Sequence, residues 1–199
     1  MVTLDTVLTL IAHVLTTKST LSSKNEKILI QFCASAMSPF LPTAQHAIHN
    51  VLGTVRIVVL SETETKTFRE AARYDPAKHL IRIKNPLHVL NSIPWILRWV
   101  LVPDWNLNRS VRMFLLVLIH EMTHAWQATY FSLSSFSECQ MEGHANYVTL
   151  RFAIDAGLED DYEFGWTLFD RIKRWKFLAA PFFSVLPSEE ITKEIFQVS

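Results

Sequence analysis

Residues 110–129 read SVRMFLLVLIHEMTHAWQAT. Val111, Phe114, Leu115, Leu118, Ile119 and Met122 recur at the three- and four-residue steps of one helix face, and no glycine or proline interrupts the run. The stretch predicts a long helix. Downstream, serines and Phe136 mark a loop at 132–137, and a second long helix is expected from Glu138 to Ala156, stopped by Gly157. A third is expected from Asp160-Asp161, whose carboxylates suit a helix N-terminus, to about Leu178.

Upstream the chain reads differently. Leu4, Val7, Leu8, Ile11 and Leu15 share a helical face over residues 4–15. Polar residues Thr16 to Ser23 separate it from a helix at Lys24–Met37, stopped by Pro39, and a short helix follows from Thr43 as N-cap to Gly53. Thr54 to Leu60 is rich in β-branched residues. Phe68–Tyr74 and His79–Lys84 flank a proline turn, Asp75-Pro76-Ala77-Lys78. These segments predict a small antiparallel sheet of about three strands. Helices, then a small sheet, then helices make the class α+β, mostly α. Residues 1–199 are expected to form one domain: a helical N-terminal part (1–53), a core (54–157) and a helical C-terminal part (158–199).

Composition excludes several functions. The 199 residues include only four glycines, so no glycine-rich loop for nucleotide phosphate can be assembled. Nineteen basic residues balance nineteen acidic ones, and the basic excess of a nucleic-acid binder is absent. The two cysteines, Cys33 and Cys139, form no disulfide framework and read as small buried residues of a reducing compartment. The apolar stretch Val7–Leu15 has Asp5 before it and no basic region, unlike a signal peptide. An intracellular location is therefore expected. The apolar run Val89–Val102 is broken by Pro94 and Arg98 and is too short for a membrane span. Around it, Trp95, Trp99 and Trp105 predict either core packing or a surface for a substrate or partner.

The chemistry sits at residues 120–124, His-Glu-Met-Thr-His. On a helix, His120 and His124 lie one turn apart on one face and can present two imidazoles to one metal ion. Glu121 lies about 100° round, beside such an ion, where it can deprotonate a water. Two nitrogen donors with an oxygen donor suit Zn²⁺. With eight histidines in the chain, chance supplies this spaced pattern only about 0.02 times. A third ligand is required, and three residues compete for it. Glu142 follows in Met141-Glu142-Gly143-His144-Ala145-Asn146-Tyr147-Val148, and the rivals are His144 and Glu138. Asn146 shares the Glu142 face and can orient a ligand histidine. Gly143, inside a predicted helix, would let the two helices approach closely. Tyr147, Tyr162 and His88 are candidates for stabilising an oxyanion.

The pairing of His120-Glu-Met-Thr-His-Ala-Trp-Gln127 with Glu142-Gly-x-Ala-x-Tyr-Val148 resembles the gluzincins, zinc metallopeptidases with two histidines and a downstream glutamate. The strands around residues 74–83 resemble those of the small members, the minigluzincins. The resemblance spans about residues 54–157. It implies a zincin-like fold with a small antiparallel sheet, an active-site helix and a crossing glutamate-bearing helix. It further implies Glu142 as third ligand, Glu121 as general base, and an edge strand that binds an extended protein or peptide substrate. Gly143-His144 also resembles the Spartan or SprT-like proteases, which would make His144 the third ligand, although Ala145 stands where that family has a second glycine. A further alternative is a non-catalytic zinc-binding protein using the Trp95–Trp105 surface.

Overall fold

Fifteen of the 24 residues of the helix Leu107–Tyr130 are buried, on every side of it. A helix apolar all round belongs in a core, and this one is the axis on which the others pack. The computed structural model describes residues 2–17, 20–68, 70–92, 105–131 and 136–165. In chain order these form α1 (Leu4–Thr17), α2 (Ser23–Met37), a 3-10 turn (Ser38–Phe40), α3 (Gln45–Leu52), β1 (Arg56–Leu60), α4 (Glu62–Thr67), β2 (Ala72–Asp75), β3 (Leu80–Lys84), α5 (Pro86–Ser92), α6 (Leu107–Tyr130) and α7 (Glu138–Ala156). Residues 159–165 are again helical. The α+β, mostly helical class is as expected.

The sheet departs from the expected antiparallel arrangement. Its strand order is β1-β3-β2, with β1 parallel to β3 and β2 antiparallel to β3. The chain reverses twice between β1 and β3, so those two strands run the same way. Helix α4 separates β1 from β2, and β3 then fills the slot between them. Central β3 carries the deepest residues, Ile81 and Ile83, at 0 % and 1 % exposure. Both edge strands are tied down by a glutamate. The Ile57 N–H of β1 donates to Glu26 Oε1 of α2 at 2.6 Å, and the Tyr74 N–H of β2 donates to Glu121 Oε2 of α6 at 2.7 Å.

Local chemistry explains most boundaries. Asn106 caps α6 by accepting from the Arg109 N–H at 2.9 Å. Helix α4, absent from the sequence expectation, starts on a capping box in which Ser61 and Glu64 satisfy each other's backbone N–H. Thr43 is not the α3 cap: its hydroxyl accepts from Trp126 Nε1 at 3.2 Å, and Ala44 precedes the helix with no side-chain cap. Gly157 ends α7 as expected. It is left-handed (φ +66°), and the Gly157 and Leu158 N–H groups close on Ile154 and Ala153. Gly53 works differently, because its φ is −61° and an added Cβ would meet the His49 carbonyl at 2.9 Å.

Helices α1, α2, α3, α5 and α7 and strands β2 and β3 all contact α6. Val7 of α1, Leu29 of α2, Ile81 of β3, Leu115 of α6 and Val148 of α7 share one hydrophobic core. Each such burial contributes about 1.5–3 kcal/mol. Buried Asn85 links the layers, donating to the Leu15 carbonyl at the end of α1 and accepting from Leu87 N–H at the start of α5. Cys33 is in the core, and burial pushes its thiol pKa up, whereas Cys139 is exposed on the first turn of α7, contrary to expectation. Among the described residues no helix is long and apolar enough to cross a membrane.

Candidate metal centre

Helix α6 places His120 and His124 on one face with ring centroids 4.7 Å apart and Nε2 atoms 3.0 Å apart. Helix α7 supplies the third group. Its start is fixed by a capping box between Ser137 and Gln140, and it packs against α6. Glu142, in its second turn, lies with Oε2 3.2 Å from His120 Nε2 and Oε1 3.1 Å from His124 Nε2. The ligating atoms of His120, His124 and Glu142 all fall within 4.8 Å of one another, and the group could hold a metal ion. The donor set fits zinc chemistry. Ligand atoms about 2.0–2.1 Å from a tetrahedral ion stand roughly 3.3 Å apart, and the observed spacings need to open by only a few tenths of an ångström.

The electrostatics are those of a tightly held cluster. Burial works against a charged ring, yet the Glu142 carboxylate bonded to His124, joined by Glu121 and Gln127, pushes its pKa up to about 9. Burial alone would raise Glu142, but hydrogen bonds from both histidines hold it down at about 2.

Glu121 is 2 % exposed and faces the sheet. Burial pushes its pKa up against the opposing pull of His124, His120 and the Tyr74 N–H. Strand β2 is the sheet edge, and the Lys84 N–H to Ala71 carbonyl bond sets its pairing phase. In that phase Arg73 pairs inward with Arg82, while the Ala72 and Tyr74 backbone groups point away from β3.

An apolar cavity adjoins His120 and Glu121, walled by Ala72, Met113, Val117 and Tyr162. Gly165 also lines it, 3.8 Å from Met113 as an added Cβ would lie. Asp161, on the helical segment 159–165, borders the same cavity. Its carboxylate is 4 % exposed and takes Arg109 Nε at 3.3 Å on Oδ1 and Arg112 Nε at 2.7 Å on Oδ2. Its part is to bind the segment to α6, a link beyond the helix-start preference read from the sequence.

The rival ligands lie outside the three-residue group. Glu138 is exposed at the first residue of α7. His144 is fully buried, with Nδ1 3.0 Å from Gln127 Nε2 and its ring tilted against Trp126. Burial, then the His124 charge, pushes the His144 pKa down to about 4. Asn146 is buried one turn after Glu142 and lines the cavity with His120. Of the oxyanion candidates, Tyr162 lines the cavity, and burial pushes its pKa up to about 12. Tyr147 packs against the main core, and His88 is buried on α5. Gly143 is buried in α7. Trp105 is buried, donating from Nε1 to Ser110 Oγ at 2.7 Å and meeting Phe164 edge-on. Trp95 and Trp99 lie outside the described residues, as does the expected helix beyond residue 165.

Sequence reasoning missed Gln127, the Tyr74 backbone and the Asp161 ion pairs. Only Gln127 leaves a usable signal, a lone amide three residues after His124 on a largely apolar helix. No family model matches this chain, and no curated protein or solved structure matches it.

Proposed function

We propose that this chain is a zinc-dependent peptidase of zincin-like fold that hydrolyses peptide bonds in a protein or peptide substrate. The observation that carries the reading is the convergence of His120, His124 and Glu142 beside a buried Glu121. His120, His124 and Glu142 would hold the ion. When bound, zinc polarises a carbonyl and lowers the pKa of a water toward about 7. Glu121 takes the proton of the attacking water on the oxygen not engaged by Tyr74. Water oxygen joins the carbonyl carbon, the C–N bond breaks, and Glu121 returns the proton to the leaving amine. Burial raises its pKa, which favours taking up the proton and holding it for the leaving amine.

Substrate would lie along β2. The outward backbone groups of Ala72 can pair with an extended chain, as at any unpaired strand edge. The cavity by Met113 and Val117 suits an apolar side chain next to the cleaved bond.

One observation favours a second reading, a non-catalytic zinc protein. Glu121 accepts the Tyr74 N–H and so has a structural task of its own. The two are separated by measuring zinc content and mapping new N-termini in a protein mixture, wild type against Glu121→Gln. The peptidase reading expects zinc in both proteins and new termini with wild type alone. Equal zinc and no cleavage by wild type would leave the non-catalytic reading.

A further inference from the structure

We infer that Gln127 is the positioning residue that sets which nitrogen of His124 faces the metal and that joins the two ligand-bearing helices. The inference rests on the metal-centre reading above. Gln127 is fully buried on α6, one turn after His124. Each polar atom of its amide has a partner. Oε1 is 2.7 Å from His124 Nδ1, and Nε2 is 2.9 Å from the Met141 carbonyl and 3.0 Å from His144 Nδ1.

The orientation of the amide follows from one of those partners. A backbone carbonyl only accepts, so the atom facing Met141 must be the NH₂ group. The carbonyl oxygen Oε1 then faces His124, and since it only accepts, His124 Nδ1 must carry the hydrogen. Nε2 faces the Glu142 carboxylate and His120 Nε2, so a metal ion that replaces its hydrogen binds there, while Gln127 keeps Nδ1 as the N–H side of the ring. By the same logic, His144 Nδ1 accepts from the second N–H of the amide. Thus a carbonyl of α7 fixes an amide of α6, which fixes the imidazole that points back at the Glu142 carboxylate of α7. A leucine at 127 would fill the space with none of this. His144, the alternative ligand, is in this arrangement part of the scaffold behind His124.

The test has a part independent of zinc. In metal-free wild type, long-range ¹H–¹⁵N spectra should show a slowly exchanging hydrogen on His124 Nδ1, sheltered by the Gln127 carbonyl oxygen. Gln127→Leu should lose that protection and bind zinc 10–100-fold more weakly by chelator competition. Gln127→Glu keeps an acceptor for Nδ1–H but offers the Met141 carbonyl no donor, so it should keep the protected hydrogen and most of the affinity and melt lower than wild type. A wild-type His124 with no hydrogen on Nδ1 overturns the inference, as does a folded Gln127→Leu with unchanged Nδ1–H exchange and zinc affinity. If Gln127→Leu does not fold, the wild-type spectrum still decides. Wild type showing the protected Nδ1–H but binding no zinc would refute the metal reading and leave the role of Gln127 standing.

Discussion

The Tyr74 N–H of the sheet edge donates to Glu121 Oε2 at 2.7 Å, so the carboxylate proposed as general base is also the cap of a β-strand. These two tasks respond differently to substitution. Glutamine keeps an oxygen for Tyr74 but cannot take a proton, so Glu121→Gln should retain fold and zinc and lose 10²–10⁴-fold in hydrolysis. Stability should move the other way. The folded pKa of Glu121 lies above its usual 4.5. Its contribution to stability is therefore present below pH 4.5 and lost as pH rises through the folded value. Above pH 4.5 burial of this carboxyl therefore opposes folding, and Glu121→Gln should melt higher than wild type at neutral pH without metal. A lower melting temperature for the variant would contradict the burial cost assigned to this group.

Glu26 plays the matching part at the opposite edge, accepting the Ile57 N–H at 2.6 Å. Its salt bridge to Arg56 adds little, because Arg56 is 69 % exposed. Glu26→Ala should cost about 1–3 kcal/mol in denaturant unfolding, the penalty of leaving a largely buried N–H without its partner. Zinc affinity should be unchanged, since α2 and β1 supply no ligand. Unaltered stability would mean that the N–H finds water instead.

These edge contacts also mark where sequence reading stops. The His120–His124 pair was legible because one turn of helix is a local fact, and Gly157 because a left-handed stop is another. The β-branched runs identified strands, but alternation says nothing about which strand is a neighbour. The parallel β1–β3 pair depends on α4 carrying the chain past the central slot. Helix α4 was missed although its start carries a signal, since Ser61-x-x-Glu64 is a capping-box signature. Gln127 could be seen as a polar residue on an apolar helix, but its partners Met141 and His144 come from another helix.

Metal uptake should release a proton. With His124 held at about 9 and Glu142 at about 2, the metal-free cluster at pH 7 contains a protonated ring beside a carboxylate. A metal ligand must be deprotonated. Calorimetry in buffers of different ionisation enthalpy should therefore find about one proton released per zinc at pH 7, and affinity should climb with pH until about 9. Without metal, the His124 contribution to stability is complete below pH 6.5 and lost as pH rises through about 9. That of Glu142 is complete above pH 4.5 and lost as pH falls toward about 2. The cluster thus supports the metal-free fold best between roughly pH 4.5 and 6.5. Zinc uptake with no proton release at pH 7 would show that Glu142 and His124 do not pair as described.

The cavity beside His120 and Glu121 yields a prediction about selectivity. Val117 lines it and is only partly buried, so a larger side chain there can enter the cavity without displacing the core. Val117→Phe should leave zinc content and melting temperature close to wild type. It should reduce kcat/KM for peptides with leucine or phenylalanine beside the cleaved bond by about 10–200-fold, the range for a mismatched apolar pocket. Peptides with alanine there should be affected far less, because they do not need the lost volume. A uniform loss over all peptides would point to a disturbed His120 or Glu121. No loss for any peptide would mean that the substrate side chain binds elsewhere along β2.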